Sequence, residues 1–155
     1  MKLKTKEVIS LFQALTALNG AQRVVDVDGQ KKVVEEPYAL SPKARWNAAK
    51  NRNTLRRIVD ARDEVAMGYQ KGLRAFRATL NPSDDAKENA KKFKDEVERV
   101  NELLRELAEE EQDVQGLRTI SATGLNLKES PIPPSVIDDL MPRIDGDPDF
   151  DEPKK

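Results

Sequence analysis

The chain has 155 residues, of which 35% are charged, 37% hydrophobic and 5% aromatic, and its formal net charge is −1. A charged share well above the usual level of about a quarter favours long exposed helices with a narrow apolar seam over a thick globular core. With neither cysteine nor histidine in the chain, disulfides, thiolate zinc sites and cysteine or histidine catalysis are excluded, and carboxylates, Lys and Tyr remain for any acid–base work.

The opening, MKLKTKEVISLFQALTALNG, joins a basic start to an apolar run. Glu7, Gln13 and the helical spacing argue against a signal peptide, and no window reaches the roughly 18 apolar residues of a membrane span, so a soluble protein is expected. Val8, Leu11, Phe12, Leu15 and Leu18 recur at spacings of three and four, which predicts an amphipathic helix over residues 5–19, ended by Asn19-Gly20. Next comes RVVDVDGQKKVV. Asp28-Gly29 suits a type I′ turn, whose two central residues need positive φ, and predicts a β-hairpin over 23–35. A two-residue loop sets Asp26 opposite Lys31 and Val24 opposite Val33 on one face.

Ser41-Pro42 is a strong helix start, a capping hydroxyl followed by a residue preorganised for the first helical position. An apolar stripe from Ala44 through Leu55, Ile58, Val65, Tyr69, Leu73 and Phe76 to Leu80 then predicts one helix over 42–80. Gly68 and Gly72 within it suggest a bend or a close helix contact. Asn81-Pro82 stops this helix, and Ser83 is the expected cap of the next, over 84–112, whose stripe is Ala86, Ala90, Phe93, Val97, Val100, Leu104 and Leu107. So short a connection makes the two helices antiparallel neighbours. Charge points the same way. Residues 43–80 hold ten basic against three acidic side chains, and residues 84–113 hold twelve acidic against six basic. A basic helix is thus expected to lie against an acidic one.

After Gly116 the periodicity breaks, and an extended arm over 117–144 is expected, with Ser135 capping a short helix that Pro142 ends. Residues 145–155 read as a disordered acidic tail. Asp145, Asp147, Asp149 and Asp151 alternate, but Pro148 intrudes and the twelfth-position Glu of a calcium loop is missing. The fold class is mainly α: a long antiparallel helix hairpin with an N-terminal helix, a small β-hairpin and an extended C-terminal arm. The single domain spans 1–144, and the first helix, the β-hairpin and the arm are expected to pack at the open end of the helix hairpin.

No catalytic constellation stands out. Tyr69 beside Asp63 and Glu64 reads as a seam residue rather than an acid–base set, and the chain is read as non-enzymatic, with no cofactor and no metal. The candidate partner-binding residues are Val25 and Val27, the leftover valine face of the hairpin, together with Trp46, Arg45, Arg52 and Arg56. The run KARWNAAKNRNTLRR that carries the last four could also track a phosphate backbone.

Between Leu40 and Gly72 the residues SPKARW, AKN, LR and IVDARDE, and near the end IPPSVIDDLMPRI, form a layout that resembles small proteins encoded among the structural genes of tailed phages and prophages. The resemblance implies a virion or assembly subunit acting by self-association or on other virion proteins, in the host cytoplasm during assembly or in the virion. It carries no site residues across. Two further readings stand beside it: an accessory protein that binds and inhibits a host factor, its acidic helix mimicking nucleic acid, and a nucleic-acid-binding module using the basic helix.

Overall fold

The computed structural model describes residues 1–145. Except for Asp145, the expected acidic tail and its carboxylate row lie outside the described residues. Strand β1 (Lys2–Lys4) runs directly into helix α1 (Thr5–Ala17), and strands β2 (Ala21–Val27) and β3 (Gln30–Glu36) follow. Two long helices, α2 (Pro42–Thr79) and α3 (Ala86–Glu109), lead to β4 (Glu111–Asp113), β5 (Ile120–Ser121), α4 (Ala122–Leu125), α5 (Pro134–Leu140), a 3-10 turn (Met141–Arg143) and β6 (Ile144–Asp145). The mainly α architecture built on a helix hairpin is the one the sequence predicts.

Local chemistry explains the boundaries. The Ser41 hydroxyl accepts from the Ala44 N–H at 3.2 Å and Pro42 takes the first helical position, so α2 starts where expected. Two expected caps are wrong. Asp85 caps α3, accepting from the Lys87 N–H at 3.0 Å, while the Ser83 hydroxyl donates to the Asn81 side chain at 2.7 Å. Helix α5 begins at Pro134, which leaves Ser135 inside it rather than at its cap. The β-hairpin has the expected register, with Asp26 opposite Lys31 and Val24 opposite Val33, and Asp28 and Gly29 at φ 55° and 76° make its turn.

The core is gathered at one end. Val8, Leu11, Ala14 and Leu15 of α1 pack on Ala44, Ala48 and Leu55 in the first turns of α2, and Val114, Ile120, Leu125, Ile132 and Leu140 of the returning chain close the other side. Leu55 is the last buried residue of α2, and Val100 is the only one in α3. From Arg56 onward α2 continues for about 36 Å at 1.5 Å per residue. Two helices alone can cover only the stripes that face each other, and so Tyr69, Leu73, Phe76, Phe93 and Val97 are half-buried. The chain is a compact base from which a two-helix arm projects. Helix α2 runs unbroken through Gly68 and Gly72, and a Cβ at either would meet nothing within 4 Å, so the close contact expected there is not made within the chain.

Polar contacts hold the returning segment to the base. The fully buried Asn51 donates from Nδ2 to the Arg118 carbonyl at 2.7 Å and accepts the Arg118 N–H at 2.6 Å, and Asn47 donates to the Thr119 carbonyl at 2.9 Å. Gly124 is pressed onto the start of α2, where an added Cβ would lie 2.9 Å from the Ser41 hydroxyl and 3.0 Å from the Ala44 Cβ. Two strand pairs close the base: β1 with β4, antiparallel with Leu3 opposite Gln112, and β5 with β6, parallel with Ile120 opposite Ile144. Asp145 therefore belongs to a strand rather than to a tail.

The β-hairpin departs from expectation in its placement. All seven residues of β3 are exposed, and β2 reaches the core only through Ala21. Helix α1 and the returning segment already fill the open end of the helix hairpin. Each face of the ribbon also carries charge, Asp26 and Lys31 on one and Arg23 and Lys32 on the other, and burial without partners would be costly. The hairpin stands free of the base.

Two expectations follow from this division into base and arm. Leu55→Ala should lower unfolding free energy in urea by about 2–5 kcal/mol, whereas Val65→Ala, at a residue 40% exposed, should cost less than about 1 kcal/mol. Asn51→Leu should cost about 1–3 kcal/mol by orphaning the Arg118 backbone, against a change within about 0.5 kcal/mol for Asn53→Ala on the exposed side of the same helix. Equal losses within either pair would contradict the division.

Candidate interaction surfaces

The six residues singled out in sequence fall on three separate surfaces. Val25 and Val27 lie on one face of the hairpin ribbon, together with Val34; Val25 is half-buried and Val27 is 42% exposed. The opposite face carries Val24 and Val33, directly opposite each other and 62% and 63% exposed. These are the most open large apolar side chains among the described residues, so the valine face chosen from sequence is the more covered of the two.

On α2, Arg45, Arg52 and Arg56 are spaced by seven and four and share one side of the helix, while Trp46 is turned about 100° away. Arg45 donates to the Tyr38 carbonyl at 3.2 Å and so ties down the chain that enters α2 from the hairpin. Arg52 is half-buried and its Nε is enclosed without a partner, whereas Arg56 is exposed. Trp46 is 57% exposed, and the Lys50 ammonium sits over its ring at 4.8 Å from the centroid. That contact stiffens a flat aromatic face and leaves it open to solvent.

A fourth surface holds none of these six residues. Where the arm leaves the base, an open groove of about 300 Å³ runs between α2 and α3, with Ile58, Ala61, Val65 and Leu107 as its apolar lining and Thr5 and Gln112 at its head. Ile58, Val65 and Leu107 belong to the predicted apolar stripes. Thr5 and Gln112 arrive only through the pairing of chain segments more than a hundred residues apart, for which the sequence carries no periodic signal.

The expected electrostatic match between the long helices is not realised as ion pairs. Among the described residues none joins α2 to α3; the pairs on α3 run within its own chain segment, as in Arg99–Glu96, Arg105–Glu102 and Lys92–Glu88. Spacing is the reason, because side chains three or four apart on one helix meet more easily than charges splayed to the outside of a two-helix seam. The acidic end of α3 is answered from elsewhere. Lys4 binds the Glu109 carboxylate at 2.7 Å, Lys6 binds the same carboxylate, and Lys2 reaches Glu111 at 3.4 Å. A carboxylate at a helix C-terminus faces the negative end of the helix dipole. Hydrogen bonds from Lys4 and Lys6 nonetheless hold the Glu109 carboxyl down, from its ordinary 4.5 to about 2. The same bond raises the Lys4 ammonium above its ordinary value.

Among the described residues no group of three or more His, Cys, Asp or Glu side chains is arranged to hold a metal ion, and no helix is long and apolar enough to cross a membrane. No protein-family model matches this chain, nor does any curated protein or solved structure.

The Glu109 contact has a pH signature. Because the folded carboxyl titrates near 2 and the unfolded one near 4.5, its stabilisation is fully present above about pH 4.5 and is lost as the pH falls toward 2. Glu109→Gln should therefore lower the melting temperature at neutral pH and flatten its fall across that acid window. An unchanged acid limb would show that Lys4 and Lys6 do not hold the carboxylate in solution.

Proposed function

We propose that this chain is a non-enzymatic structural or interaction protein, an assembly subunit of the kind encoded among the structural genes of tailed phages. The observation that carries the reading is that the base is complete without either projection. The arm and the β-hairpin both extend from it with apolar side chains uncovered: Val24 and Val33 on the ribbon, Val65 and Met67 on α2. Elements that the chain's own core does not need, and that expose apolar surface, are suited to being covered by another protein surface. Trp46, rigid and open beside the base, is a third contact of this kind.

A second reading has its own support. The ten basic residues of α2 are not neutralised by ion pairs to α3 among the described residues, and the exposed Lys43, Arg56 and Arg57 can meet phosphates.

Light scattering on the full chain, from low to several hundred micromolar, separates the two. The assembly reading expects a mass above the 17.4 kDa of one chain that grows with concentration. A chain that stays monomeric throughout and binds duplex DNA or RNA with a midpoint that weakens steeply with salt would replace it with the second reading.

A further inference from the structure

Strand β3 reads Gln30-Lys31-Lys32-Val33-Val34-Glu35-Glu36, two cations and two carboxylates flanking two valines, and every one of these residues is exposed. In a hairpin with a two-residue loop, the pair flanking the turn exchanges ladder hydrogen bonds, here Val27 and Gln30. It follows that Gln30, Lys32, Val34 and Glu36 direct their backbone groups to β2, while Lys31, Val33 and Glu35 direct theirs to the open edge.

We propose that this open edge is a self-association surface: β3 pairs antiparallel with β3 of a second copy about a two-fold axis at Val33, making a four-stranded sheet in the order β2, β3, β3, β2. The proposal rests on the reading of the chain as an interaction subunit and names its partner as a second copy of the same chain.

Register and charge agree on this arrangement. Across an antiparallel edge only outward-directed residues can form hydrogen-bonded pairs. With the axis at Val33 these pairs are Val33 with Val33, Lys31 with Glu35, and Glu35 with Lys31. On the other face Lys32 falls opposite Val34, and its two diagonal neighbours are Glu36 and Lys32 of the second copy, so this face adds no net charge match. On the Val33 face each copy's Lys31 thus meets the other's Glu35. Within one chain those charges are little used: Glu36 has Arg23 at 3.9 Å, and no ion pair among the described residues involves Lys31, Lys32 or Glu35.

The alternatives match less well. A parallel alignment sets lysine against lysine. The open edge of β2 is formed by Gln22, Val24 and Asp26, and a two-fold axis at Val24 would put Gln22 opposite Asp26 and Arg23 opposite Val25. Lysines on an edge strand ordinarily discourage pairing. In β3 they are balanced by Glu35 and Glu36 at the far end of the same strand, and the strand therefore repels most partners while fitting its own antiparallel copy. The apolar face supports the same partner, because Val24 and Val33 of each copy would form a continuous row of four valines across the sheet. A lone two-stranded ribbon is marginal in water, and a four-stranded one with an apolar row is not.

The test uses the full-length chain and charge reversal at either end of the strand. Lys31→Glu with Lys32→Glu leaves β3 flanked only by carboxylates, and Glu35→Lys with Glu36→Lys leaves it flanked only by lysines. Each double variant should keep native helicity by circular dichroism and lose the dimer in sedimentation equilibrium, and an equimolar mixture of the two should restore it as a heterodimer. Cross-linking tests the register independently, since the chain has no cysteine of its own. Val33→Cys should form an inter-chain disulfide readily, because two residues facing each other across the axis have Cα atoms about 5.5 Å apart, within the bridging range. Val24→Cys, equally exposed, should not, lying about 14 Å from its counterpart across three strand spacings.

Variants that associate as the unaltered chain does, or a mixture that stays monomeric, would overturn the β3 edge while leaving an interaction subunit that uses another surface. Equal cross-linking at both positions would overturn the register. An unaltered chain that is monomeric at every concentration would overturn the self-association proposal, and the nucleic-acid measurement above would then decide whether the interaction reading falls with it.

Discussion

Both hydrogen-bonding ends of the Asn51 side chain go to one residue, the amide to the Arg118 carbonyl and the oxygen to the Arg118 N–H. A buried amide with one arm unsatisfied would be costly, and this arrangement satisfies it with a single backbone unit held in a single orientation. The consequence is long-range. Arg118 lies 67 residues further along the chain, and fixing its backbone against the third turn of α2 sets the direction in which the returning segment runs. Ile120, Leu125, Ile132 and Leu140 are thereby laid against α1 and α2, and without them the core would lack one side. An apolar residue at position 51 would fill space equally well but would leave the direction of the returning chain open.

Once the base is closed in this way, α2 is much longer than the base requires. Its first four turns carry all of its buried residues. The remaining turns have only α3 to rest on, and a seam between two helices shields each apolar side chain from one direction. The physical result is a gradient of stability along one continuous helix, with the apolar contacts dense near Leu55 and sparse near Thr79, so that the far end of the arm opens locally before the base does. The hairpin ribbon extends the same logic, since its stability depends on seven cross-strand pairs and no core. The parts of the molecule best placed to meet a partner are therefore the parts least stabilised by their own chain.

Local signals in the sequence were sufficient for the elements and insufficient for their assembly. Asp28-Gly29 specified the hairpin and its register because a two-residue I′ turn admits only one pairing. Ser41-Pro42 located the start of α2, and the apolar stripes located both long helices. The second long helix, expected over 84–112, ends at Glu109, because Glu111–Asp113 pairs as a strand with Lys2–Lys4; strands of three residues paired across more than a hundred positions are too short for any period to show. Asn51 stands in the polar run KNRN, where nothing distinguishes the one amide that turns inward. Trp46 and Arg56 are exposed, whereas Arg45 is engaged with Tyr38 and Val25 is half-buried. Composition cannot separate these cases, since a side chain's neighbours depend on which other segments arrive.

Charge gives the clearest instance of that difference. Counted along the sequence, a basic helix precedes an acidic one, and attraction between them is the economical inference. In the structure the acidic end of α3 is taken by Lys2, Lys4 and Lys6 from about a hundred residues earlier in the chain, and other pairs on α3 form within it at spacings of three and four. These contacts place a basic strand-and-helix start on an acidic helix end, where they offset an unfavourable dipole, and they leave the cations of α2 outside the account. The near-zero total thus conceals a molecule whose negative charge is largely answered internally on one element and whose positive charge is presented to solvent on another. Any partner of the arm meets that asymmetry first, before it meets the apolar seam beneath it.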